Sequence, residues 1–151
     1  MNRNIIFLTV AFFVTFFDQL TKYLIRQKLA VGASVPIIDR IVYFSHIKNT
    51  GAAFGILQNG RIFIIVIGII SLIVILYFLD FFTSTRFLLL GSGFLFGGII
   101  GNLLDRIFIG HVTDFIDFKI WPVFNIADSF VNIGTVMIVI YILFFYGKAH
   151  S

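Results

Sequence analysis

The chain contains no cysteine. Disulfides, thiolate nucleophiles and cysteine-ligated metal sites are therefore excluded, and the redox compartment cannot be read from cysteine usage. Charge is scarce too, at 12% of 151 residues. The formal charge is +4 and the isoelectric point about 9.6, but the 11 Lys and Arg residues are scattered singly. Without a basic run, a nucleic-acid partner is not expected, and anionic lipid headgroups suit the charge better. His46, His111 and His150 stand far apart, no HExxH is present, and no serine occupies a nucleophile-elbow motif. Zinc-peptidase and serine-hydrolase chemistry lack their parts, so no metal is expected.

What is present is apolar: 60% hydrophobic residues and a mean hydropathy of +1.07. That describes an integral membrane protein. Spans of roughly 20 residues, one bilayer each, are expected near 5–24, 62–80, 87–104 and 125–146. The charged start before the first apolar run resembles a secretory signal, but Asp18, Lys22 and Arg26 follow before any convincing small-residue cleavage site. The segment reads as a retained first helix. The expected fold is an all-α membrane protein of four transmembrane helices, a single polytopic domain over 1–151. Its long polar interval, 26–61, carries the alternation Ile38, Arg40, Val42, Phe44, which suggests short strand structure on the membrane surface.

The third span is glycine-rich, and Gly93, Gly97 and Gly101 recur every four residues, a pattern that allows close helix contact in lipid. Packing does not explain Asn102, Asp105 and Arg106, which share one face at the end of that span. In the first span Asp18 and Lys22 are spaced i to i+4 with the acid first, the favourable order. They read either as an interfacial ion pair ending the helix or as part of a site. Asn49 to Gly55 is rich in small residues; it is either a tight turn or a place where backbone passes close to a helix or an extended peptide.

With four spans both termini lie on one side of the membrane. Asp18, Lys22, Asn49, Asn102, Asp105, Arg106, Asp114, Asn125 and Asp128 then gather at the opposite edge. Carboxylates at a membrane boundary are rare without a partner or a task. Asp114 and Asp128 flank a Trp-Pro turn, and a close carboxylate pair keeps one proton between two groups, which suits one as base and the other as acid. The soluble aspartic-protease signature Asp-Thr-Gly is absent. The plainer reading is that Asp114 pairs with Lys119 or Arg106.

The chain resembles the bacterial lipoprotein signal peptidases, or signal peptidase II. The resemblance rests on ordered blocks: Asp18-Gln19-Leu20-Thr21-Lys22, then Asn49-Thr50-Gly51-Ala52-Ala53-Phe54, then the run from Gly97 to Arg106, then Val112-Thr113-Asp114-Phe115 and Phe124-Asn125-Ile126-Ala127-Asp128. It implies an intramembrane aspartyl endopeptidase, a hydrolase without cofactor that cuts prolipoproteins just before a diacylglyceryl-modified cysteine. Asp114 and Asp128 match the catalytic dyad. Asp18, Lys22, Asn49, Gly51, Asn102, Arg106, Asn125 and Ala127 match its supporting positions. The loop 26–61 would clasp the substrate from the extracytoplasmic face of the bacterial inner membrane, with both termini cytoplasmic and the enzyme a monomer in lipid.

Charge counting opposes that orientation. Lys22, Arg26, Lys28, Arg40, Lys48, Arg61, Arg106 and Lys119 lie on the site side, against Arg3, Arg86 and Lys148 on the other, and the positive-inside rule would put the site in the cytoplasm. A small proton-coupled transporter is the alternative from another class, but it wants its carboxylate midway through a span.

Overall fold

The computed structural model describes residues 2–51 and 60–145. Ala52, Ala53, Phe54, Gly55, Lys148 and His150 of the sequence reading lie outside the described residues, as does the last residue of the expected fourth span. Among the described residues, three helices are long and apolar enough to cross a membrane. They are α1 (Arg3–Lys28), α4 (Arg86–Leu104, continued by a π-helical turn Asp105–Ile109) and α5 (Ile126–Phe144). Between them come α2 (Arg61–Tyr77), apolar but only 17 residues long, and the single turn α3 (Leu79–Phe82).

The glycines of α4 make it the centre of the bundle. A Cβ on Gly93 would meet Val10 at 2.9 Å and one on Gly97 would meet Ala11 O at 2.6 Å, so that face closes directly on α1. One residue round the helix, Gly98 sits under Ala127 O and Gly91 against Gly134 O, which closes the opposite face on α5. Without side chains between them, the backbones approach closely in a solvent where apolar burial supplies no drive. Phe7, Ala11, Ile75, Leu89 and Phe96 pack where α1, α2 and α4 meet. The outward face of α1 presents Phe12, Phe13, Phe16 and Phe17, all exposed and stacked on one another in pairs.

A three-stranded antiparallel sheet caps one end, in the order β1 (Ser34–Ile38), β2 (Val42–Asn49), β3 (Val112–Asp117). The alternation through residues 38–44 falls on short strand structure, a hairpin whose turn lies between β1 and β2. Arg40 takes a left-handed φ of 61° in the turn, and Ser34 pairs with Ser45. The sheet also extends beyond the interval between the first two helices, because β3 comes from the connection between α4 and α5. Its pairing is long-range, Ile47 opposite Asp114 and Asn49 opposite Val112. At the far end of β3, Asp117 accepts from Ser45 Oγ at 2.6 Å and from Lys119 Nζ at 2.7 Å, which ties the strand to β2 and to its own following turn.

Candidate active site

The first turn of α5 is built around Asn125. As N-cap it accepts from Asp128 N at 2.9 Å through Oδ1, while its own backbone N–H donates to Asp128 Oδ2 at 3.2 Å. This capping box satisfies two of the helix's orphan donors reciprocally and locks the Asp128 rotamer. The amide nitrogen of Asn125 then donates to Asp114 Oδ1 at 2.7 Å and to Asn102 Oδ1 at 3.2 Å. One residue thus joins the end of α4, the middle of β3 and the start of α5.

Each carboxylate has a further amide donor. Asn49, the last residue of β2, donates to Asp114 Oδ2 at 2.8 Å and holds Gly51 N with its own carbonyl. Asn102, one turn from the end of α4, donates to Asp128 Oδ1 at 2.8 Å. Neither Lys119 nor Arg106 is the partner of Asp114. Lys119 is committed to Asp117, and Arg106 donates to Gly51 O at 3.0 Å and Asn102 O at 3.3 Å. Asp114 is 2% exposed, and burial, followed by the nearby charge of Asp128, raises its carboxyl to about 6 against the lowering effect of the two amides.

Asp18 and Lys22 do not end α1. The helix runs on to Lys28, and both side chains are 0% exposed, 2.8 Å apart. Asp18 Oδ1 accepts from Ala127 N at 2.8 Å, capping α5 from a neighbouring helix, and Lys22 donates to Asn102 Oδ1 at 3.0 Å. Asn102 therefore receives Lys22 and Asn125 on its oxygen, which leaves its nitrogen for Asp128. Charges this deep survive only when paired and hydrogen-bonded.

The pairing runs through a residue outside the expected site set. Asp105, 0% exposed, faces Lys22 at 3.3 Å and Arg26 at 3.5 Å and accepts from Thr113 N at 3.0 Å. Gln19 bridges Asp18, Asp105 and Gly101 O, and Arg26 also reaches Thr113 Oγ1. The signal for Arg26 was available, since 18, 22 and 26 repeat every four residues along α1. Asp105 shares the face of Asn102, as their spacing predicts, and both meet Lys22; the π turn that begins at Asp105 has no clear sequence mark. Such turns concentrate at functional sites.

Asp114, Asp128, Arg106, Asn49, Gly51 and Trp121 line an open cleft of about 870 Å³. It runs from the sheet edge down the side of α5 as far as Asn132. Among the described residues no cluster of His, Asp and Glu suits a metal ion. What the cleft offers is two carboxylates, Asp114 buried and Asp128 half-buried, with oriented amide donors beside space for an elongated ligand.

Comparison with known proteins adds a family. Residues 10–144 match the family described as signal peptidase (SPase) II. The lipoprotein signal peptidase of Halothermothrix orenii is 42% identical over 136 residues, 88% of this chain and 92% of that protein. That of Caldanaerobacter subterraneus subsp. tengcongensis is 41% identical over 132 residues, 87% of this chain and 91% of that protein. Two solved bacterial membrane enzymes superpose with TM-scores of 0.86 and 0.84 at 39% and 38% identity, each covering more than nine-tenths of this chain and 87% and 93% of theirs.

Proposed function

Because the chain belongs to the signal peptidase II family, we propose that it is an aspartyl endopeptidase of the bacterial inner membrane that cuts prolipoproteins just before a diacylglyceryl cysteine. The observation that carries this is the convergence of Asp114 and Asp128 on Asn125 at the wall of one cleft. Asp18, Lys22, Asn49, Gly51, Asn102, Arg106, Asn125 and Ala127 support the pair, as do Asp105 and Arg26 behind it.

The chemistry follows from two like charges that share one proton. The ionised carboxylate takes a proton from water as the water oxygen bonds to the scissile carbonyl carbon, and the protonated carboxyl gives its proton to the carbonyl oxygen. The gem-diol collapses when the carboxyl that took the water proton delivers it to the leaving nitrogen, the other carboxylate takes a proton back from one hydroxyl, and the C–N bond breaks. Acid-base work of this kind supplies about 10²- to 10⁴-fold. The amides of Asn49, Asn102 and Asn125 are fixed before substrate arrives, so little reorganisation is needed during the reaction.

The whole chain, 1–151, acts as one polytopic domain with four spans, α2 and α3 together making the second. It acts as a monomer. The sheet lies on the extracytoplasmic face, where its hairpin clasps substrate. Each buried CH₂ of the diacylglycerol contributes about 0.8 kcal/mol, so lipid anchors the substrate and presents its scissile bond at the depth of the dyad. The deciding assay is a gel shift with purified chain and a diacylglyceryl-modified prolipoprotein. Cleavage of the modified form, far slower cleavage of the same protein with its cysteine unmodified, and indifference to chelators are expected. Equal rates for both forms would withdraw the lipoprotein assignment.

A further inference from the structure

Beyond its first turn, α5 carries three polar side chains before Phe144: Asn132, Thr135 and Tyr141. Thr135 Oγ1 folds back on Val131 O at 2.7 Å, and in the first turn Ser129 Oγ does the same to Asn125 O at 3.1 Å. Hydroxyls can satisfy themselves on a helix in this way. Asn132 does not, and it makes no hydrogen bond to any described residue. It is exposed and lines the cleft beside Asp128 and Val131. Packing against α4 is carried by other positions of the helix, Gly134 and Ile138. An amide without partners inside a membrane span is costly, so one that faces a ligand cleft is waiting for a ligand.

Its position fixes which ligand groups it meets. Four residues past Asp128 is one helical turn on the same face, about 6 Å deeper in the membrane. An extended peptide advances about 3.3 Å per residue, so the same depth corresponds to about two residues of substrate. A signal peptide rising from the bilayer as a helix must unwind to present a single bond to the dyad. Unwinding orphans its main-chain N–H and C=O groups in hydrocarbon. A primary amide offers a donor and an acceptor together and matches such a pair.

We propose that Asn132 is a substrate-binding amide that hydrogen-bonds the main chain of the signal peptide about two residues on the membrane side of the scissile bond. This rests on the signal peptidase reading above. It adds a contact of this chain's own, outside every block that carries the family resemblance.

The test uses the full-length enzyme and a lipidated prolipopeptide. Asn132→Leu keeps the size and removes both polar groups. Its KM should rise about threefold to tenfold with kcat within about twofold, the signature of a binding contact made equally in ground and transition states. Its Tm should be unchanged or higher, since a bare amide is lost. A substrate with an ester in place of the second peptide bond before the cleavage site lacks one N–H. It should lose a similar factor in kcat/KM with the unmodified enzyme and nothing further with Asn132→Leu, a comparison that does not depend on how well the variant folds. An unchanged KM, or an ester penalty equal in both enzymes, overturns the proposal while leaving the peptidase reading intact. So does a penalty for ether-linked lipid chains that vanishes in Asn132→Leu, which would move the contact to the lipid ester carbonyl. No cleavage by the unmodified enzyme would overturn both.

Discussion

Asp114 and Asp117 lie three residues apart on β3, and their surroundings push them in opposite directions. Burial and then the Asp128 charge raise Asp114 to about 6. Burial also acts to raise Asp117, but the donors on Lys119 and Ser45 outweigh it and hold that carboxyl below its usual range. A raised carboxyl contributes stability that is fully present below the unfolded value near 3.8 and is lost as pH climbs through about 6. The native state thus carries a penalty at pH 8 of roughly 3 kcal/mol at most. Asp114→Asn should raise Tm at about pH 8 and give no such gain at about pH 3.5, which scanning of the detergent-solubilised protein would measure. Asp117→Asn should behave conversely, costing about 1 kcal/mol near neutrality and progressively less as pH falls below the usual carboxylate range, because a depressed carboxyl stabilises only while ionised. Activity separates the residues again. Asp114→Asn and Asp128→Asn should each lower kcat by at least about 10², whereas Asp117→Asn should stay within about threefold of the unmodified enzyme. An active Asp128→Asn enzyme would remove the aspartyl mechanism.

At the scale of elements, the proposed dyad depends on how closely three helices approach. A Cβ on Gly98 would meet Ala127 O at 2.6 Å in the first turn of α5, directly before Asp128, whereas one on Gly93 would meet the Val10 side chain at 2.9 Å, far from the site. Adding a methyl at either position overpacks the bundle by about 1–3 kcal/mol. Only at Gly98 is the neighbour backbone that also positions the dyad. Gly98→Ala should therefore lower kcat at least about tenfold along with Tm, and Gly93→Ala should lower Tm with kcat little changed. Equal kcat losses would mean that the α4–α5 spacing does not set the dyad geometry. The glycine repeat was legible because small residues every four positions have one physical use in lipid, and α1, α4 and α5 were legible as long apolar runs. β3 was not. Its residues, Val112 to Asp117, alternate over too short a stretch, and their partners Tyr43 to Asn49 are distant in sequence, so only the folded chain shows the pairing. The burial of Asp18 and Lys22 was hidden for a similar reason, since their partners Asn102, Asp105 and Ala127 come from other helices. Spacing had placed the two on one helix face without saying what that face meets.

For the molecule as a whole, orientation is the issue on which composition and family disagree. The positive-inside rule counts cations free to interact with the translocation machinery and with anionic lipid, and many of those on the site side are engaged elsewhere. Lys22 and Arg26 are held by Asp18 and Asp105, Lys119 by Asp117, and Arg106 and Arg61 by the carbonyls of Gly51 and Ile107. A cation paired or hydrogen-bonded within the fold weighs less than the raw count suggests, so the proposed extracytoplasmic site is compatible with these charges. The absence of cysteine makes the test clean, because a single introduced thiol is the only reactive one. Asp39, exposed in the β1–β2 turn, and Ser84, exposed at the opposite end before α4, mark the two faces. In intact spheroplasts Asp39→Cys should react with a membrane-impermeant maleimide, and Ser84→Cys should react only after the membrane is opened. The reverse pattern would place Asp114 and Asp128 in the cytoplasm, out of reach of a signal peptide presented at the outer face.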